Sequence, residues 1–131
     1  ISNVNDRARV YWSRLMNDCG SETENIAFYG GGQYCRKIIE KWLAKPFLPS
    51  MIFDSACTMP TSVREIPVYN PNEMPMLRKS ITKIVITSSV HHAAIEKSLS
   101  QLMIEMKIDT EIINPFKFPY VGSHQTPFAA S

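Results

Sequence analysis

The chain has 131 residues, 44% of them hydrophobic and 20% charged, with a formal net charge of +2. That is enough for one domain with a real core, and the balanced charge without a basic cluster excludes a dedicated nucleic-acid or membrane-surface binder. No apolar run approaches the roughly 20 residues that span a bilayer, and no signal-peptide pattern opens the chain.

The three cysteines, Cys19, Cys35 and Cys57, have no paired spacing. They read as reduced thiols of a cytoplasmic protein, not as a disulfide framework or a metal site. The chain opens on Ile1, which reads as a processed chain or a piece of a longer protein whose catalytic part could lie elsewhere.

Residues 3–18 have the spacing of an amphipathic helix, with Val4, Ala8, Tyr11 and Leu15 on one face and Trp12 and Met16 widening it. Asn3 or Asn5 could cap it. Its apolar face either covers the sheet or docks another domain.

The next stretch, Ile26 to Ile39, organises the rest. Ile26-Ala27-Phe28-Tyr29 is a short apolar run that ends in Gly30-Gly31-Gly32, as a buried strand ends in a turn. A helical pattern follows over residues 33–45, with Cys35, Ile38, Ile39, Trp42 and Leu43 inward, until Pro46 stops it. Gly30, Gly32 and Cys35 fit G-x-G-x-x-(small), the first strand-to-helix turn of a dinucleotide-binding unit. The first glycine permits a tight turn. The second, lacking Cβ, lets a phosphate approach the backbone, and the small third residue lets helix and strand pack closely. The helix start then offers unpaired N–H groups to an anion. A flexible turn is the plain alternative.

Met51–Asp54 is a second strand that ends in an acid about 20 residues beyond the turn, where the fingerprint requires one. Residues 55–64 read as a loop. Ile66–Tyr69 reads as a third strand, at an edge because Pro67 cannot donate to a ladder. Asn70–Glu73 opens a short helical turn, and residues 76–80 could add another. Residues 81–87, rich in β-branched residues, form the fourth strand. A helix over about 90–107 follows, with Ile95, Leu99, Leu102, Met103 and Met106 as its buried stripe. Residues 111–114 make a fifth strand. The segment 115–131 shows no periodicity and reads as an irregular arm or linker.

Alternating strands and helices with short links predict an α/β fold: a three-layer Rossmann-like parallel sheet of about five strands, order 3-2-1-4-5, with an extra N-terminal helix. The organisation is an N-terminal helix and link over 1–25, a nucleotide-binding domain over 26–114, and the arm over 115–131. Ligands of such sheets bind beyond the carboxyl ends of the strands where the order reverses. The expected binding residues are therefore Gly30, Gly31, Gly32, Gln33, Tyr34, Asp54, Ser88, Ser89 and His91.

Asp54 would bond a ribose hydroxyl, or else cap its own loop. An acid there disfavours a 2′-phosphate, against which the nearby Arg64 is a weak counter-argument. His91 and His92 open a helix about 100° apart, so one could line the crevice while the other does not. Ser88 and Ser89 read as caps rather than nucleophiles. No metal site and no catalytic set is evident, and the catalytic residues stay unknown.

The runs IAFYGGGQYCRKIIEKWL, MIFDS, REIPVYNP and KIVITSSVHHAAIEKSL resemble the small Rossmann-like domains of bacterial glycan-biosynthesis proteins. Two kinds are similar: the domain in front of nucleotide-sugar epimerase/dehydratases, and the N-terminal domain of sugar O- and N-acyltransferases. The resemblance covers roughly residues 25–114. It implies phosphate on Gly30, Gly31 and Gly32, a ribose near Asp54, and roles for Ser88 and His91. Tyr34, bulky at the helix start, departs from the pattern and would crowd a full dinucleotide.

The expected function is a nucleotide-binding accessory domain, for NAD(H) or a nucleotide-sugar, joined to the remaining domains of a larger protein. The alternatives are the nucleotide half of an NAD-dependent oxidoreductase or sugar-modifying enzyme, and a ligand-free interaction module docking through Tyr11, Trp12 or residues 116–120. Nucleic acid and membrane are not expected partners, and a homodimer is left open.

Overall fold

The computed structural model describes residues 4–19, 25–43, 47–73, 81–107 and 109–117. The expected parallel sheet is present with one more strand than expected. Its strands are β1 (Ile26–Tyr29), β2 (Met51–Phe53), β3 (Thr61–Val63), β4 (Ile66–Tyr69), β5 (Lys83–Ile86) and β6 (Glu111–Ile113). They lie in the order β3-β4-β2-β1-β5-β6. Every pairing is parallel except that of β3 with β4. The helices are α1 (Val4–Cys19), α2 (Gln33–Lys37) with a π-helical continuation over Ile38–Trp42, and α3 (His92–Met106).

Strand alternation divides the core between the two faces. Phe28, Ile52, Val68 and Val85 point toward α1 and α2. Ala27, Phe53, Ile84 and Ile86 point toward Leu99 and Met103 of α3. Central strands covered on both sides need apolar residues at every position, and β1, β2 and β5 have them almost throughout.

The N-terminal helix belongs to this core. Trp12 is 0% and Tyr11 1% exposed, so the apolar face of α1 is spent within the chain. The docking surface expected at these two residues is therefore absent. Trp12 packs edge-on to Tyr34 and donates its indole N–H to the Tyr34 hydroxyl at 3.1 Å. Asn5 lies inside α1, and Asn3 lies outside the described residues.

Three local readings are corrected. The helix expected over 33–45 widens at Ile38 into a π-helix, closed by the Leu43 N–H on the Ile38 carbonyl at 2.9 Å, and its described part ends at Leu43. The wider turn keeps Ile38, Ile39 and Trp42 all buried. The loop expected over 55–64 contains β3, so Ile66–Tyr69 is not an edge strand.

Pro67 is tolerated because its own parallel partner would precede the first β2–β4 pair, Ile52 with Val68. The Tyr69 carbonyl faces β2, where it accepts from the Asp54 N–H. Pro67, two residues earlier, turns its nitrogen the same way and away from β3. Finally, α3 begins at His92, two residues later than expected, and ends on Lys107 in the left-handed region. Residues 74–80, including the second helical turn expected over 76–80, and 118–131 lie outside the described residues.

Arg64 and Glu65 form the two-residue turn of the β3–β4 hairpin, both with positive φ (47° and 69°), as a twist-matched tight hairpin requires. Arg64 also donates from Nη1 to the carbonyls of Ile39 at 2.7 Å and Leu43 at 3.4 Å. It closes the end of the π-helix, at the far end of the sheet from Asp54, and so takes no part in phosphate selectivity at that carboxylate. Opposite outcomes follow for the two turn residues. Arg64→Ala should lower stability by about 1.5–3 kcal/mol, the range for bonds to a charged donor. Glu65→Gly, which frees an exposed residue from a left-handed conformation, should raise it by about 1 kcal/mol. Urea denaturation of both variants checks the signs.

Candidate functional site

The chain turns hard at the end of β1. Gly30 has φ +116°, a region L side chains avoid. Its N–H is held by the Phe53 carbonyl of β2 at 2.8 Å. From the other side Thr87, buried at the end of β5, donates its hydroxyl to the Gly30 carbonyl at 2.8 Å and its N–H to the Tyr29 carbonyl at 2.9 Å. A Cβ on Gly30 would sit 3.1 Å from the Ser88 Cβ, so the turns after β1 and β5 touch there.

The other two glycines have different reasons. A Cβ on Gly31 would come within 2.7 Å of Asp54 Oδ2 and 2.9 Å of its Cβ. The Asp54 carboxylate therefore lies directly on the turn. A Cβ on Gly32 would meet nothing within 4 Å. Its space is open, as the fingerprint requires of the glycine beneath a phosphate. Gly32 is also the N-cap of α2 and offers no side chain to the helix start. The first amide to bond back is Arg36, to the Gly32 carbonyl at 3.1 Å, so the Gln33 amide has no intrahelical acceptor.

Around this turn is a cavity of about 480 Å³ lined by Tyr29, Gly30, Gly31, Gly32, Gln33, Tyr34, Asp54, Ser55, Thr87, Ser88, Ser89, Val90, His91 and Ile95. All nine residues expected at the crevice border this one space. A smaller cleft of about 260 Å³ shares Gly31 and Asp54 with it and extends past Arg36, Ala56, Cys57 and Met59. A third, of about 650 Å³, lies between the 57–61 segment and residues 67–73, away from the glycine turn.

Individual roles are mixed. Asp54 Oδ1 accepts the Ala56 N–H at 3.0 Å, so the carboxylate caps its loop with one oxygen and lays the other over Gly31. Ser88 Oγ accepts the His91 N–H at 3.2 Å in the turn before α3, whose N-cap is His91 and has no side-chain cap bond. His91 is exposed on the rim, whereas His92 turns away: its Nδ1 lies 3.1 Å from Asn114 Nδ2, and its ring stacks on Phe116. The two histidines thus diverge, one on the rim and the other against the turn after β6. Tyr34 is committed to Trp12, Trp42 and Phe116, and burial pushes its hydroxyl up to about 12.

Tyr29 and Thr87, expected only as strand residues, also line the cavity. Tyr29 ends β1 with its ring tilted against Phe53, centroids 6.3 Å apart. Burial and then the Asp54 charge raise its pKa, so its hydroxyl keeps its proton. Alternation along β1 was the available signal: Phe28 points to one helix layer, so Tyr29 must point to the other. Cys35 is the small packing residue, 1% exposed. Burial holds its thiol at about 11, against the opposing pull of the Thr87 hydrogen bond and the Arg36 charge. It is no nucleophile at neutral pH. Among the described residues no cluster of histidine, cysteine or acid is arranged to hold a metal, and no helix is long and apolar enough to cross a membrane.

Two outcomes are expected. Gly30→Ala should cost about 1–3 kcal/mol through backbone strain, while Gly32→Ala, with open space and an ordinary φ of −75°, should cost well under that; thermal melts rank them. The Cys35 thiol has its folded pKa raised, from 9.0 to about 11. Its contribution is therefore complete below pH 9 and lost as pH rises through 11. Stability should fall by about 2 kcal/mol between pH 8 and 10.5 from this group, and Cys35→Ala should remove that part of the slope in urea titrations.

No protein-family model matches the sequence, and no curated protein or solved structure matches it either.

Proposed function

We propose that this chain is a nucleotide-binding domain whose ligand lies across the glycine turn, with NAD(H) or a nucleotide-sugar as the candidate class. The observation that carries the reading is the empty Cβ position of Gly32, set between Asp54 on one strand end and Ser88–His91 on the other, at the point where the strand order reverses. A phosphate over Gly32 and Gln33 meets an open amide and a helix start. The ribose then falls beside Asp54, and its base extends into the smaller cleft past Ala56 and Cys57.

Among the described residues the crevice offers one carboxylate, one exposed imidazole and several hydroxyls, without a lysine or arginine on its lining. Anion binding there relies on backbone amides, which suits holding a ligand better than transforming one. The domain is accordingly an accessory part of a larger protein. Its place in sugar or cell-surface glycan metabolism rests on the resemblance of the glycine turn and the strand-four loop.

Equilibrium titration with NAD+, NADH and UDP- and GDP-sugars tests the reading. Gly32→Val should fold as the parent does and lose binding, because its side chain enters the phosphate space. Asp54→Ala should weaken binding by about 1–3 kcal/mol, the range for a polar partner left unmatched. Absence of binding by the parent chain at millimolar nucleotide would sink the proposal.

A further inference from the structure

A dinucleotide lies across the switch point, one half over each side of the sheet. In this fold the first half would lie over β1 and β2, and the second would continue over the ends of β5 and β6. The end of β5 borders the open cavity, and the turn after β6 stands at the far end of that second path.

Beyond β6 the chain makes a turn held by Asn114, which is 7% exposed. Its Oδ1 accepts the N–H groups of Phe116 at 3.1 Å and Lys117 at 3.3 Å. Its Nδ2 faces His92 Nδ1 at 3.1 Å, and Lys117 pairs with Glu96 of α3 at 3.3 Å. The turn is thus fastened to the first turns of α3.

Phe116 packs against the cores on both faces of the sheet. Its ring centroid lies 5.9 Å from Tyr34 and 6.4 Å from Trp12 on one side, and 5.6 Å from His92 on the other. Phe116 follows the end of β6 and joins Tyr34 in the first turn of α2 to His92 at the start of α3.

We infer that Phe116 is a specificity-determining plug: the crevice takes a single nucleoside diphosphate and excludes the second nucleotide of NAD. This rests on the nucleotide-binding reading above and narrows its ligand class. The crevice and the adjoining cleft take the base, ribose and phosphates, and Phe116, set between Tyr34 of the crevice wall and His92, stands where a nicotinamide riboside would lie.

Calorimetric titration of the full chain with ADP, UDP, GDP and NAD+ is the test, repeated on Phe116→Ala and, should that variant not fold, on Phe116→Val. The expected result is NAD+ binding at least tenfold weaker than the best nucleoside diphosphate in the parent, with that gap closing tenfold or more in the variant while diphosphate affinity holds. NAD+ binding as tightly as the diphosphate in the parent overturns the plug and leaves the nucleotide reading standing. A gap that persists in the variant also overturns it. Failure of every nucleotide to bind overturns the nucleotide reading and this inference with it. If neither variant folds, the parent comparison alone decides.

Discussion

The structure depends on how β1 ends. Gly30 is clamped from β2 through its N–H and from β5 through its carbonyl, at a φ only glycine adopts freely. The two clamps fix the gap between the central strands, and Thr87 sets one side of it with both its backbone and its hydroxyl. From that point the chain has one way to continue. Gly31 must pass Asp54 without a Cβ, Gly32 opens the helix, and Cys35 drops into the core behind the strand. The crevice is the space these constraints leave, so its shape belongs to the fold's most constrained turn and not to a mobile surface loop.

Much of this was legible in the sequence because each central strand announces itself twice, by its apolar run and by the turn residue that ends it. IAFY before three glycines and MIF before Asp54 gave both position and polarity, and the strand order followed from the alternation of elements. What was not legible was nonlocal. Thr61–Val63 is weakly apolar and sits among turn residues, and it becomes a strand because Ile66–Tyr69 offers an open edge across a two-residue turn. That turn has no glycine or asparagine. Arg64 accepts an unfavourable φ, and its guanidinium gains two helix carbonyls. No local rule contains that exchange. The π-helical widening at Ile38 has the same character, since the sequence between Gln33 and Leu43 is ordinary helix former.

The N-terminal helix shows how burial decides between two readings that share one pattern. An amphipathic helix with Tyr11 and Trp12 on its apolar face suits a docking surface and a core layer equally well. The structure needs the second. α2 and its continuation leave Phe28, Val85 and Tyr34 partly covered, and Trp12 completes that cover while giving its N–H to the one polar atom Tyr34 brings inside. Tyr34 looked like an obstacle to a ligand at the helix start. With its hydroxyl turned to Trp12 it becomes wall, not obstruction.

The same aromatic group links the two ends of the described chain to the crevice. Trp12 comes from α1, Tyr34 from the helix that opens at the glycine turn, His92 from α3, and Phe116 from the turn after β6. Each pair is of modest energy, about 0.5–1.5 kcal/mol beyond its area, but the four are mutually placed. Moving Phe116 unstacks His92 and removes one ring behind Tyr34, which Trp12 and Trp42 still hold. Asn114 strengthens this coupling, since one buried amide holds the histidine ring with its nitrogen and the Phe116 and Lys117 amides with its oxygen. A buried amide with both ends used is costly to disconnect. The wall of the crevice toward β6 is therefore set by the core rather than by the ligand, and a ligand must fit the space as it stands.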